Sequence, residues 1–95
     1  MENNYTVNAK KFKALSDANR LRIIDLLSEG EKCAGDILES FDFTQSTLSH
    51  HMKVLMECEL VKCRKEGLWS HYSLDNNSMN IQLFSLINFG AETTV

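Results

Sequence analysis

Ninety-five residues, 43% hydrophobic and 24% charged, describe a folded chain, small enough to form one domain over residues 1–95. A single core of that size is marginal, so self-association is expected. No run of about 20 apolar residues is present to span a membrane. The start, Met1-Glu2-Asn3-Asn4-Tyr5, lacks the basic and apolar blocks of a signal peptide, which predicts a cytoplasmic protein. In that setting an odd count of three cysteines argues against a disulfide framework and leaves thiols free to react or to bind metal.

A formal net charge of -3 weighs against nucleic acid as a partner, but the charges are not evenly spread. Lys10, Lys11, Lys13, Arg20 and Arg22 stand against Asp17 alone. Further on, Lys53, Lys62, Arg64 and Lys65 stand against Glu57 and Glu59. The acids gather between these groups, at Asp25, Glu29, Glu31, Asp36, Glu39 and Asp42, opposed only by Lys32. Local field rather than total charge sets phosphate attraction, so a nucleic-acid face remains compatible with the composition.

Apolar spacing predicts a first helix from about Asn8 to Leu15. Ser16 or Asp17 can cap a second helix that buries Leu21, Ile24 and Leu27, and Gly30 suits its end. Ala34, Ile37, Leu38 and Phe41 predict a short third helix. Phe41-Asp42-Phe43 makes a turn, and Thr44 caps a fourth helix. On that helix Leu48, Met52 and Leu55 share one side with His51 at its edge, which reads as a structural histidine. Ser46, Ser49, His50 and Lys53 share the opposite side at i, i+3, i+4, i+7, with no carboxylate among them. Two short helices joined by a tight turn, the second with a bare polar face, make a helix-turn-helix.

After Leu60 the period changes to two. Val61 and Cys63 alternate with Lys62 and Arg64, and Leu68, Ser70, Tyr72 and Leu74 alternate with Trp69, His71 and Ser73. The expected element is a two-stranded hairpin, or wing, turning at Lys65-Glu66-Gly67. Trp69, beside the wing tip, is expected to pack on the neighbouring helix, with a sugar edge as the other reading. The segment from Asn76 to Ala91 has no charged residue. Met79, Ile81, Leu83, Phe84, Leu86, Ile87 and Phe89 cover most of its helical circumference, more than one small chain can bury, so it reads as a subunit interface.

With these elements in order, the chain resembles the arsenical-resistance-repressor (ArsR/SmtB) family of winged-helix regulators. The residues that carry the likeness are the run Phe12 to Ile24, the run Glu31 to Leu38, the stretch Gln45 to His51, Leu60-Val61, and Arg64-Lys65-Glu66-Gly67. The resemblance implies a mainly α (α+β) fold and a homodimer built through the N- and C-terminal helices. It also implies a repressor of operator DNA that lets go when a metal or metalloid ion, or a thiol oxidant, acts on it. Gln45, Ser46, Thr47, Ser49 and His50 are then expected at base edges, and Lys53, Arg64 and Lys65 at phosphates.

The inducer is harder to read. Members that sense arsenic or cadmium carry Cys-x-Cys at the start of the third helix, sometimes with a further Cys. Here the positions read Cys33, Gly35 and Leu38, and trigonal As(III) or Sb(III) wants three thiolates. Zinc-sensing members use positions that read Asp75, Asn77, Asn88 and Ala91 in this chain, leaving one ligand of four. Cys33 sits where a Ser or Thr cap would be natural, at a helix end that favours thiolate chemistry, with Glu31 and Asp36 opposing, so a sensing or metal-binding role and a structural or inherited one both stay open. Cys58 and Cys63 are weaker metal candidates, because a Cys-x4-Cys pair across a helix-to-strand junction matches no common zinc spacing. No nucleophile-base-orienter triplet, phosphate loop or zincin pair is present, so an enzyme is not expected. The other reading left open is a winged-helix protein-interaction module.

Overall fold

The computed structural model describes residues 3–87. The first helix, α1 (Asn4–Leu15), opens on Asn3, whose side-chain oxygen accepts the Thr6 N–H at 2.9 Å. It starts earlier than the apolar spacing alone implies, because an asparagine cap satisfies the first free N–H groups even where the first turn is polar. The second, α2 (Ala18–Leu27), is capped by Asp17, which accepts from the Arg20 N–H at 3.0 Å. It buries Ile23, Ile24 and Leu27, and leaves Leu21 half-buried.

A two-residue strand, β1 (Lys32–Cys33), leads into α3 (Ala34–Ser40) and then α4 (Gln45–Glu57), where Thr44 Oγ1 accepts the Thr47 N–H at 3.1 Å. The hairpin β2 (Val61–Glu66) and β3 (Trp69–Leu74) follows, and then α5 (Ser78–Phe84), capped by Asn77. This is a winged helix-turn-helix. One core cluster holds it together: Ile23, Ile24 and Leu27 from α2, Ile37 from α3, Leu48, Met52 and Leu55 from α4, and Leu60, Val61, Leu74 and Phe84 beyond it.

Two features of the wing differ from the sequence reading. The strand β1 pairs antiparallel with β3, giving a three-stranded sheet in the order β1-β3-β2. Two residues are too few to show a period, so the third strand is silent in the pattern. The turn lies one step later than expected: Glu66 pairs with Trp69, and Gly67 and Leu68 are its two central residues. Gly67 has φ of 63°, while Leu68 is not among the residues of positive φ, the pattern of a type II′ turn that needs glycine first.

Helix α4 ends with a left-handed residue, Glu59, at φ of 62°. The Leu60 N–H donates to Leu55 O and the Glu59 N–H to Met56 O, both at 3.0 Å, which is the Schellman arrangement. A side chain in that conformation costs on the order of 1 kcal/mol relative to glycine. A buried polar joint holds it. Asn80, fully buried on α5, donates to Glu59 O at 2.8 Å and to Asp75 O at 2.7 Å, and accepts from Lys11 Nζ at 2.8 Å. Lys11 is only 4% exposed, so one member of the expected basic cluster points into the protein and not toward a ligand.

On the far side of α1, Asn8, Phe12, Met79, Gln82, Leu83 and Leu86 line a groove of about 170 Å³. Phe12, Met79 and Leu86 remain exposed in the single chain. Phe89 and the rest of 88–95, including Asn88 and Ala91, lie outside the described residues.

Candidate nucleic-acid interface

Helix α4 divides as its sequence implies. Leu48, His51, Met52 and Leu55 are buried, while Gln45, Ser46, Ser49, His50 and Lys53 are exposed. Thr47 is half-buried, and its hydroxyl accepts from Thr44 Oγ1 at 3.2 Å, so it serves the cap. From Gln45 to Lys53 the exposed face therefore presents hydroxyl, amide, imidazole and ammonium groups, a set that can donate to acceptor edges and to phosphate, and its one carboxylate, Glu57, comes in the last turn.

What fixes the angle of α4 is a stack that the periodicity did not announce. Phe41 and Phe43 lie face to face at 5.0 Å, Arg22 sits over the Phe41 ring at 4.8 Å, and the His51 ring tilts against Phe43 at 5.5 Å. The repeated phenylalanine in Phe41-Asp42-Phe43 was the available signal. Arg20 completes the support. It donates to Ala14 O at 2.6 Å and to His51 Nδ1 at 3.2 Å. A guanidinium only donates, so Nδ1 accepts and the ring is neutral here. Burial, with Arg20 and His50 nearby, holds the imidazole below the ordinary histidine value against the opposing pull of Asp17. His51 is thus part of the scaffold under the exposed face.

The wing cations are not equivalent. Lys65 is exposed and stands opposite Ser70. Arg64 is drawn into a fork with Glu31, Nη2 to Oε1 at 2.8 Å and Nε to Oε2 at 3.2 Å, and also lies 3.5 Å from Glu66. That pairing holds the Glu31 carboxyl below its usual range and raises Arg64. Both groups are solvent-accessible, so the pair is weak and a phosphate can compete for the guanidinium. Trp69 does not pack on a helix, the favoured of its two expected settings. It closes the ladder at the free end of the hairpin and stays 64% exposed.

The three cysteines are not brought together. In the sheet Cys33 stands opposite His71, and His71 opposite Arg64. Cys63 stands opposite Tyr72, one position along. Successive residues point to opposite faces of a sheet, so Cys33 and Cys63 face opposite ways. Cys58 lies against its own helix, its thiol directed at Val54 O and Leu55 O, and burial pushes that thiol up. Among the described residues no three His, Cys, Asp or Glu side chains converge as a metal-binding group. The three-thiolate set that As(III) requires does not fit this arrangement. Cys33 makes no side-chain capping hydrogen bond to α3.

A helix-turn-helix whose second helix bears an exposed cationic and hydroxyl face, with a β-hairpin beside it, defines a DNA-binding regulator of the winged-helix class. The model of the bacterial regulatory protein, arsR family, matches residues 17–62. The chain is 53% identical over 78 residues to an arsenical resistance operon repressor of Staphylococcus aureus, covering 80% of this chain and 75% of that one. Among solved structures, HlyU of Vibrio cholerae superposes with a TM-score of 0.82 at 28% identity, over 93% of this chain and 95% of that one. The homodimeric winged helix-turn-helix DNA-binding domain Mb0332 of Mycobacterium bovis superposes at 0.79 with 30% identity, over 88% and 77%. The chain belongs to the ArsR family of transcriptional regulators. No helix among the described residues is long and apolar enough to cross a membrane.

Proposed function

We propose that this protein is a sequence-specific transcriptional repressor that works in the cytoplasm as a homodimer on operator DNA and is released by an inducer. The observation that carries the reading is the exposed row Ser46, Ser49, His50 and Lys53 over the first turns of α4, ahead of Glu57, in a chain of this family. Gln45, Ser46, Ser49 and His50 read base edges, with Thr47 holding the start of the helix. Lys53 and Lys65 bind phosphates, joined by Arg64 once phosphate displaces Glu31. The apolar groove between α1 and α5 supports dimerisation, as does the homodimeric Mb0332 domain.

The contacts sort by mutation. Lys65→Ala should weaken specific and random duplexes alike and flatten the salt dependence of binding by about one phosphate. His50→Ala should instead narrow the gap between operator and random sequence. Fluorescence anisotropy across a salt series measures both. Loss of operator preference alone in both variants would overturn the assignment.

The inducer acts at Cys33. Relatives named arsenical resistance operon repressors support a metal or metalloid inducer. With a single cysteine in place, an ion held there must take at least one donor from a second copy of the chain or from outside the described residues, and a thiol oxidant needs none. Cys33 lies on β1, between α3 and the wing, so a change there bears on both DNA-facing elements. Cys33→Ser should keep operator affinity and lose release by arsenite, antimonite, cadmium, zinc or peroxide, followed by mobility shift. Equal release from both proteins would remove Cys33 from the mechanism.

A further inference from the structure

The tip of the hairpin carries a feature that the contacts above do not use. Leu68, in the turn, is 100% exposed, and Trp69 beside it is 64% exposed. Turn positions are ordinarily polar or glycine, and one bare leucine would need no explanation. Two large apolar side chains side by side, at the end of strands that carry Lys62, Arg64 and Lys65, form an apolar point on a cationic arm. The one carboxylate at the tip, Glu66, lies 3.5 Å from the Arg64 guanidinium, so its charge does not oppose a polyanion unaided. Gly67, in the left-handed conformation, keeps the turn to two residues and the point narrow.

We propose that Leu68, flanked by Trp69, is an apolar wedge that enters the minor groove of the operator. This rests on the reading of the protein as a DNA-binding repressor. Charge complementarity and continuity with the α4 and Lys65 surface select DNA as the occupant. An apolar side chain pressed between base steps unstacks them and bends the duplex away from the wedge, toward the major groove. The bend is easiest at flexible pyrimidine-purine steps. The wing thereby adds sequence preference at a position where no hydrogen bond is made. Lys65, beside the tip, holds a flanking phosphate while the wedge is inserted.

Trp69 is the only tryptophan in the chain, so its emission reports on the tip without a label. The full chain is titrated with a dye-labelled duplex that the protein itself has selected from a random-sequence pool, while dye anisotropy records binding independently. The expected result is quenching of Trp69 in step with the anisotropy. Leu68→Ser should weaken binding of that duplex about tenfold, since burial of one leucine side chain is lost. It should also reduce the bend seen in circularly permuted mobility shifts. Because Leu68 is fully exposed in the free protein, its melting temperature should not change. Saturating anisotropy with unchanged emission, and wild-type affinity and bending for Leu68→Ser, would overturn the wedge and leave the repressor reading intact. Absence of any anisotropy change with the wild-type chain would overturn both. A shift of Trp69 emission with phosphatidylglycerol vesicles but not with duplex would overturn the wedge in favour of a membrane contact.

Discussion

Leu86→Glu should give a folded monomer that has lost its operator. Leu86 is 76% exposed in the single chain, so a carboxylate there costs the protomer little. Across the groove formed with Phe12, Met79 and Leu83, however, the change would place a charge in the contact between two copies. Taking an isolated charge out of water there is too costly for the dimer to accommodate. A monomer engages one half-site, and losing the linked second half-site forfeits about 10²–10⁴ in affinity. Sedimentation should show one species of half the wild-type mass, circular dichroism an unchanged helix content, and anisotropy the loss of operator binding. A dimer with wild-type affinity would place the interface elsewhere on the protein.

Asn80→Leu should be strongly destabilising. The buried side chain makes three hydrogen bonds, to Glu59 O, Asp75 O and Lys11 Nζ. Leucine fills a similar volume but removes a partner from two carbonyls and leaves the buried ammonium with only the weak acceptor Met79 Sδ at 3.6 Å. Losing partners of this kind costs about 3–5 kcal/mol in all. The loss is not only global, because these bonds tie α1 and α5 to the base of the wing and to the left-handed Glu59. The decisive comparison is the double variant Lys11→Met/Asn80→Leu, which removes the stranded charge together with its partner. It should recover a substantial part of the loss in urea unfolding. A single variant within about 1 kcal/mol of wild type, or a double variant less stable than the single, would show that the joint does not support the fold.

Much of this molecule follows from local chemistry. The caps at Asp17 and Thr44, the buried row Leu48, Met52 and Leu55, and the bare polar face opposite all obey rules that act within three or four residues. The same rules made the helix-turn-helix and the alternating strands legible, and they carried the resemblance to the family.

The remaining features were decided by neighbours far apart in sequence. Lys11 looked like one more surface cation in a basic run, and only the packing of α1 on α5 turned it inward onto Asn80, 69 positions away. Arg64 looked free for phosphate until the fold brought Glu31 beside it. The strand Lys32–Cys33 has no period of its own and exists because β3 offers it an edge. Its register also set Cys33 and Cys63 on opposite faces, which removes a shared site that their count alone allowed. Trp69 has the composition of a packing residue, yet a one-residue shift of the turn placed it at the exposed tip. The sequence by itself determined which segments are helix or strand and which face of α4 stays polar, because those depend on periodicity and caps. Only the tertiary structure decided which charges are spent inside the protein and which remain for a ligand, because a side chain's partner is set by what the fold brings within hydrogen-bonding reach.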